Sequence, residues 1–361
     1  MKCIRVAILG QGRSGFGIHA AHLKADTRRY KVVAVVDPIS TRRDNAIALL
    51  GCEAFESFQP LLERRDIDLV VNATPSRLHV PLTRQFMEAG FNVLCEKPLA
   101  SRAADVDMLI ETARRKGVVF AVFQQARYAP YFQRIRKLLE SGRLGRIVQV
   151  SICYGGFSRR YDWQTVIEEM GGALLNTGPH PLDQALQLMG GEAIPSVTCY
   201  MRQTVTLGDA DDHVRLVMTL PDAPVAEIEI SSCRSYPGPL YRIIGTHGGL
   251  TGSATALEWR FFKPEEAPEH QLDTHPISKP DGSPCECEDV IRWRKGKWQA
   301  NPGTKEFDVM SARFYRMLHA ALTKGAPLEI TPEQVRRQIA IIEECQRQNP
   351  HLYKPEARKH A

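Results

Sequence analysis

The opening run Ile4-Arg5-Val6-Ala7-Ile8-Leu9 passes straight into Gly10-Gln11-Gly12-Arg13-Ser14-Gly15 and then into helix-forming sequence. That order restricts the fold tightly. A first glycine permits a sharp turn after a strand, a second lets the backbone approach a pyrophosphate, and a third lets the following helix pack closely on the strand. The helix N-terminus adds partial positive charge, so a dinucleotide is the expected occupant. Gln11, Arg13 and Ser14 complete the loop and count with Gly10, Gly12 and Gly15 as cofactor contacts.

Asp37 closes the next apolar run, roughly 20 residues past the glycines, where a carboxylate accepts hydrogen bonds from adenosine ribose hydroxyls. It repels a ribose phosphate, which favours NAD. Arg42 and Arg43 lie just downstream and leave NADP open, because a guanidinium can neutralise that phosphate.

Short apolar runs at residues 6–9, 32–36, 68–73, 92–95 and 118–123 alternate with helical periodicity near 19–25, 44–50, 81–89 and 104–116. Strands apolar on consecutive positions suit a parallel sheet covered on both faces, so residues 1–125 are expected to form a doubly wound Rossmann domain. After Arg127-Tyr128-Ala129-Pro130 the pattern changes. A helix at 132–140, a strand at 147–154 and a helix opening near 171–175 are followed by β-rich runs at 196–203, 213–220, 226–233, 241–245 and 259–263. Strands in series with short turns favour a mainly antiparallel sheet, giving an α+β second domain over 126–361. Residues 264–289, rich in Pro, Glu, Asp and His, read as a surface insertion. Two helices, 308–323 and 331–348, close the chain; Thr331-Pro332-Glu333-Gln334 opens the second with a cap and a proline at the first helical position.

The charge balance, 47 basic against 41 acidic residues with both signs interspersed, lacks the basic stripe of a nucleic-acid binder. The short basic tail of Lys354, Arg358, Lys359 and His360 reads as a solvated end. Nine scattered cysteines suggest reduced thiols and a cytoplasmic protein, and Cys285-Glu-Cys287 lacks the second pair a metal site needs. No stretch has the length to span a bilayer. Neither a metal, a nucleic acid nor a membrane is expected as a partner.

Cys95-Glu96-Lys97-Pro98 places a lysine at the carboxyl end of a central strand, where doubly wound sheets bind ligands. Asn176 and His180 stand four residues apart in Gly171-Gly172-Ala173-Leu174-Leu175-Asn176-Thr177-Gly178-Pro179-His180, on one face if the stretch is helical. Moving hydride from a carbinol carbon requires its hydroxyl proton to leave as well. A histidine titrates in the useful range and a nearby ammonium stabilises alkoxide charge, so Lys97 and His180 form the candidate catalytic pair with Asn176 beside them.

These features together resemble the Gfo/Idh/MocA oxidoreductase family, which includes glucose–fructose oxidoreductase and inositol dehydrogenases. The resemblance rests on Gly10 to Gly15, on Ala73-Thr74-Pro75 with His79, on Glu96-Lys97-Pro98, on Arg127-Tyr128-Ala129-Pro130 and on Gly171-Gly172 with His180 and Asp183. It implies that Lys97 and His180 lie at the nicotinamide end and that Thr74, Pro75, His79, Glu96 and Gln125 frame the cofactor. It also implies an open C-terminal sheet, with the helix 331–348 available to pack back on the first domain. Arg127, Tyr154, Arg159, Arg160 and Trp163, with Lys97, Asn176 and His180, are then the expected substrate contacts. Dimer or tetramer assembly through the open sheet follows from the same resemblance.

One position departs from the family. Its dehydrogenases commonly carry Asp four residues before the histidine, whereas this chain has Asn176, which can orient a hydroxyl but cannot carry charge. The expected reaction is reversible oxidation of a secondary hydroxyl of a sugar, a glycoside or a cyclic polyol. The alternatives are a glycosidase that oxidises its substrate transiently to eliminate an aglycone, and a cofactor-binding sensor without catalysis.

Overall fold

Strands that are apolar at every position must be covered on both sides, and those of the first half are. In the computed structural model, which describes residues 2–353, β1 (Ile4–Leu9), β2 (Tyr30–Val36), β3 (Glu53–Phe55), β4 (Leu69–Asn72), β5 (Asn92–Cys95) and β6 (Phe120–Val122) form a parallel sheet in the order β3-β2-β1-β4-β5-β6. The order reverses between β1 and β4, so the crevice that binds ligands in such sheets opens beyond their carboxyl ends. The tail residues Lys354, Arg358, Lys359 and His360 lie outside the described residues. Of these strands only β3 is not foreshadowed by an apolar run; three half-exposed residues are too few to show a period.

The second sheet contains β7 (Ile147–Gly155), β8 (Ser196–Arg202), β9 (His213–Thr219), β10 (Val225–Ser231), β11 (Tyr241–Gly245), β12 (Gly248–Gly252), β13 (Ala256–Phe261) and β14 (Arg294–Gln299). Its order is β14-β13-β12-β11-β7-β10-β9-β8, antiparallel except where β7 meets β10. Period-2 burial runs through it: Val214, Leu216 and Met218 of β9 and Ala226, Ile228 and Ile230 of β10 are buried on one face. That face packs against the helix Pro179–Met189. Sequence patterning missed β12 and β14, since the first is mostly glycine and the second is an edge strand of Arg, Lys and Gln. A charged edge suits its position, because it discourages pairing with another chain. Residues 264–289 are an exposed excursion holding one short turn of helix and an isolated bridge between Ser278 and Pro284.

Both closing helices return to the first lobe, not the last alone. Glu306–Lys324 inserts Phe314, Tyr315 and Leu318 into the core beneath β1 and β2. Tyr30 Oη donates to Tyr315 O at 2.7 Å, and His319 Nε2 meets Lys2 O at 2.9 Å. Pro332–Gln348 opens with the expected capping box between Thr331 and Gln334. It then touches both lobes. Arg336 forks onto Asp107 at 2.9 Å and Glu343 accepts from Ala103 N on one side, while Gln348 Oε1 accepts from Cys199 N of β8 on the other. Among the described residues, no helix is long and apolar enough to cross a membrane.

Arg127 belongs to this frame. Its guanidinium is buried, paired with both oxygens of Asp183, and bonded to Glu329 O and Gln334 Oε1. The expectation that it contacts substrate is therefore corrected: its donors tie the helix carrying His180 to the last helix. Breaking a buried pair leaves an uncompensated charge. Arg127→Ala is expected to cost about 3–5 kcal/mol in denaturant unfolding. Arg136→Ala, which removes the exposed pair with Glu140, should cost under about 1 kcal/mol.

Candidate active site

The carboxyl ends of β1, β4 and β5 border a cleft of about 430 Å³. Gly10, Gly12, Arg13, Ser14, Asp37, Arg42, Thr74, Pro75, His79, Glu96, Lys97, Gln125, Asn176 and His180 all line it, with Trp163 at its edge. Gln11 and Gly15 stand just behind. A Cβ at Gly15 would fall 1.8 Å from Gly10 O, and one at Gly10 2.5 Å from Ala73 O, whereas a Cβ at Gly12 would meet only Arg42 Nη1 at 4.0 Å. Two glycines thus close the turn, and the middle one leaves backbone open to the cleft. Gln125 Oε1 is buried there without a hydrogen-bond partner among the described residues. An open glycine cradle, a helix start and an orphaned amide oxygen fit a dinucleotide.

Asp37 is 2% exposed. Its carboxylate takes Gln11 N at 2.8 Å and Ile39 N at 2.9 Å, and Arg42 Nη1 stands 3.6 Å away. Arg43 turns aside and donates to the carbonyls of Asp37 and Pro38. Of the two arginines, only Arg42 reaches the cleft.

His79 braces the site more than it faces it. Its Nδ1 lies 2.6 Å from Pro98 O and its Nε2 2.9 Å from Thr74 O, joining the loop after β4 to the turn after β5. Thr74 Oγ1 in turn donates to Asn72 Oδ1 at 2.7 Å.

Glu96 is buried beneath Lys97 and fully engaged. Its Oε1 meets His19 Nε2 at 3.1 Å and its Oε2 accepts from Lys97 N at 3.0 Å. His19 Nδ1 lies 2.7 Å from Tyr315 Oη, a hydroxyl that burial keeps protonated and able to donate. Burial pushes the Glu96 carboxyl up, but His19, with Lys97 and His79, outweighs it and holds the group below the usual carboxylate range. Sequence reading did not find His19 or Tyr315, because 296 positions separate two residues that meet only once the helix Glu306–Lys324 folds back.

Lys97 Nζ donates to Asn176 O at 2.8 Å, across the boundary between the lobes. Burial draws its pKa below the ordinary lysine value; Glu96 opposes this, and Arg13 and Arg160 add to it. Asn176 and His180 do not share one helix, contrary to the expectation. Ala173–Asn176 is a single short turn, and Thr177-Gly178 separates it from Pro179–Met189, which carries His180. Both still line the cleft, because Pro179 restarts the helix there. Burial, then the Lys97 ammonium, pushes His180 down to about 3, with Glu96 opposing. A neutral imidazole beside an ammonium can accept a hydroxyl proton while the ammonium stabilises the oxygen left behind.

Tyr154 lines an adjoining pocket of about 180 Å³ with Arg160, Gln164, Asn176, Thr177 and Ser231. Arg160 and Gln164 line both spaces. Arg159 is exposed and lines neither. Gln164 carries no sequence signal, since a lone glutamine in an irregular segment has no pattern to mark it.

Comparison with known proteins finds the family. The NAD-binding Rossmann domain of the GFO/IDH/MocA oxidoreductase family matches residues 4–124, and the C-terminal domain of the same family matches residues 132–251. The inositol 2-dehydrogenase of Rhizobium meliloti (strain 1021) is 30% identical over 251 residues, which cover 68% of this chain and 73% of that protein. The 2,7-anhydro-N-acetylneuraminate hydratase of Mediterraneibacter gnavus is 29% identical over 257 residues, covering 69% of this chain and 67% of its own length. Across four of the curated relatives the matched stretch spans 47% to 67% of their length. The WlbA dehydrogenase from Bordetella pertussis, solved with NADH and UDP-GlcNAcA, shares the fold with a TM-score of 0.76 at 22% identity, covering 100% of this chain and 97% of that one. The chain belongs to the Gfo/Idh/MocA oxidoreductase family.

Proposed function

We propose that this protein is an NAD(P)-dependent oxidoreductase that interconverts a secondary hydroxyl and a ketone on a sugar, a glycoside or a cyclic polyol. The observation that carries the reading is the meeting of Lys97, His180 and the Gly10–Gly15 loop in one cleft. The glycine loop, Arg13 and Ser14 would hold the pyrophosphate, Asp37 the adenosine ribose, and Thr74, Pro75 and Gln125 the nicotinamide end. A bound nicotinamide would supply the hydride acceptor. His180 takes up the hydroxyl proton as the carbon is oxidised. Lys97 Nζ, held by Asn176 O, stabilises charge on the same oxygen, and Glu96 supports the ammonium from below. Tyr154 and Trp163 offer ring faces and edges to a sugar.

A second reading, transient oxidation followed by elimination and return of the hydride, gains support from the Mediterraneibacter relative, whose name describes a reaction without net redox change. Substrate conversion without NADH accumulation distinguishes it. We also place the enzyme in the cytoplasm as a homo-oligomer. Nine unpaired cysteines support the first point, and the resemblance to the family supports the second.

Lys97→Met is expected to lower kcat by about 10²–10⁴ while leaving NAD affinity, measured by nucleotide fluorescence, nearly unchanged. Wild-type protein should prefer NAD. Asp37→Ser removes the repelling carboxylate and leaves Arg42, so it should raise kcat/KM with NADP relative to NAD by about tenfold or more, the worth of one charge-assisted hydrogen bond. An unfolded chain protonates His180 below about its ordinary 6.5, while the folded one resists until about 3. Stability therefore falls as pH drops through that window. The melting temperature of His180→Asn should decline less steeply between pH 6.5 and 4 than that of the wild type.

A further inference from the structure

The hydrogen-bond polarity around Asn176 is set along one wall of the cleft, starting at Asp162, whose carboxylate is engaged by Arg160. Asp162 is an acceptor for Arg160, whose Nε and Nη2 reach its two oxygens at 2.7 and 2.9 Å. Arg160 can only donate, so the second Nη2 contact, with Gln164, must fall on that side chain's Oε1. The Gln164 amide nitrogen is then committed as a donor and bonds Asn176 Oδ1 at 3.3 Å. This leaves Asn176 presenting its Nδ2 hydrogens. Among the described residues, neither that nitrogen nor Arg160 Nη1 has a protein partner. Lys97 Nζ adds further hydrogens beyond the one given to Asn176 O.

Three donor groups therefore line the cleft, and two of them, on Arg160 and Asn176, also line the Tyr154 pocket. The carboxylates nearby are already occupied. Asp212 accepts from the backbone of Thr204, Val205 and Thr206 at 2.7 to 2.8 Å, and Asp211 from Leu174 N at 2.8 Å and Tyr353 Oη at 2.7 Å. Glu96 is taken by His19 and by Lys97 N. An aspartate at 176 would put a negative charge among these donors. Asparagine keeps the position a donor at the same size.

We infer that the substrate is an acidic sugar, whose carboxylate or phosphate is received by Arg160 Nη1 and Asn176 Nδ2 beside Lys97. This rests on the proposed oxidoreductase reading and names its substrate class. The anion replaces water at donors already oriented by Asp162 and Gln164, which favours a forked oxygen pair over a single hydroxyl. Either anionic group offers that pair.

The test uses the full chain loaded with NAD, with D-glucuronate, D-glucose 6-phosphate and D-glucose as probes. Ligand-induced shifts in melting temperature give affinity, and NADH formation gives KM and kcat. At least one acidic probe is expected to bind about tenfold or more tightly than glucose, and which one does so tells carboxylate from phosphate. Arg160→Gln should bring that probe to within about twofold of glucose, read in KM. Arg160→Lys, which keeps the charge and loses the fork, should fall between. Asn176→Asp should favour glucose over either acid. NAD binding by each variant confirms that it folds. Glucose binding as tightly as both acids, or an acid preference surviving in Arg160→Gln, overturns the inference and leaves the proposed activity standing. If no probe shifts the melting temperature or yields NADH, the inference falls, and the proposed activity falls with it only if a cyclic polyol and a methyl glycoside also give neither a shift nor turnover.

Discussion

A buried carboxylate is the constraint around which this site is arranged. An ionised acid taken out of water is tolerated only when its oxygens are paired and bonded. Glu96 meets that condition through His19 from the helix after the glycine turn, through the amide of its own neighbour, and through Tyr315, which holds His19 from a helix near the end of the chain. Three distant parts of the sequence must be in place before this acid can carry charge. Once it does, the Lys97 side chain next to it has a counter-ion fixed at the rigid end of a strand. Residues that do not line the cleft, Tyr315 and His19, thus set the electrostatics at its floor.

Much of this was legible in the sequence, and the reasons are local. The glycine turn, the acid ending the second strand and the lysine ending the fifth each sit at a strand terminus, where parallel sheets expose functional groups. Period and capping marked both closing helices, and the Thr331 cap took the geometry its spacing implied. The second sheet was visible through alternation wherever one face is apolar. It faded at β12 and β14, where glycine or charge replaces the pattern and neighbouring strands decide the structure.

The misreadings share a cause, which is that a side chain's type does not disclose its partner. Arg127 carries a substrate-like guanidinium, yet its acceptors come from residues 183, 329 and 334, which no spacing rule connects. The four-residue separation of Asn176 and His180 suggested one helix, but Gly178 and Pro179 interrupt it and restart the turn. The two side chains reach the cleft by a different local route. Arg160 and Gln164 act as a pair only because a short irregular segment returns one upon the other.

The helix Pro332–Gln348 also acts as a brace. It is fastened to the first lobe through Asp107 and Ala103 and to the second through Cys199, so rotation of one sheet against the other would shear hydrogen bonds at both of its ends. A brace of this kind resists opening of the interlobe crevice. Adjustment to ligands of different shape then falls to the segment around Arg160 to Gln164 that forms one wall, and selectivity can change there by substitution without disturbing the nucleotide half of the molecule.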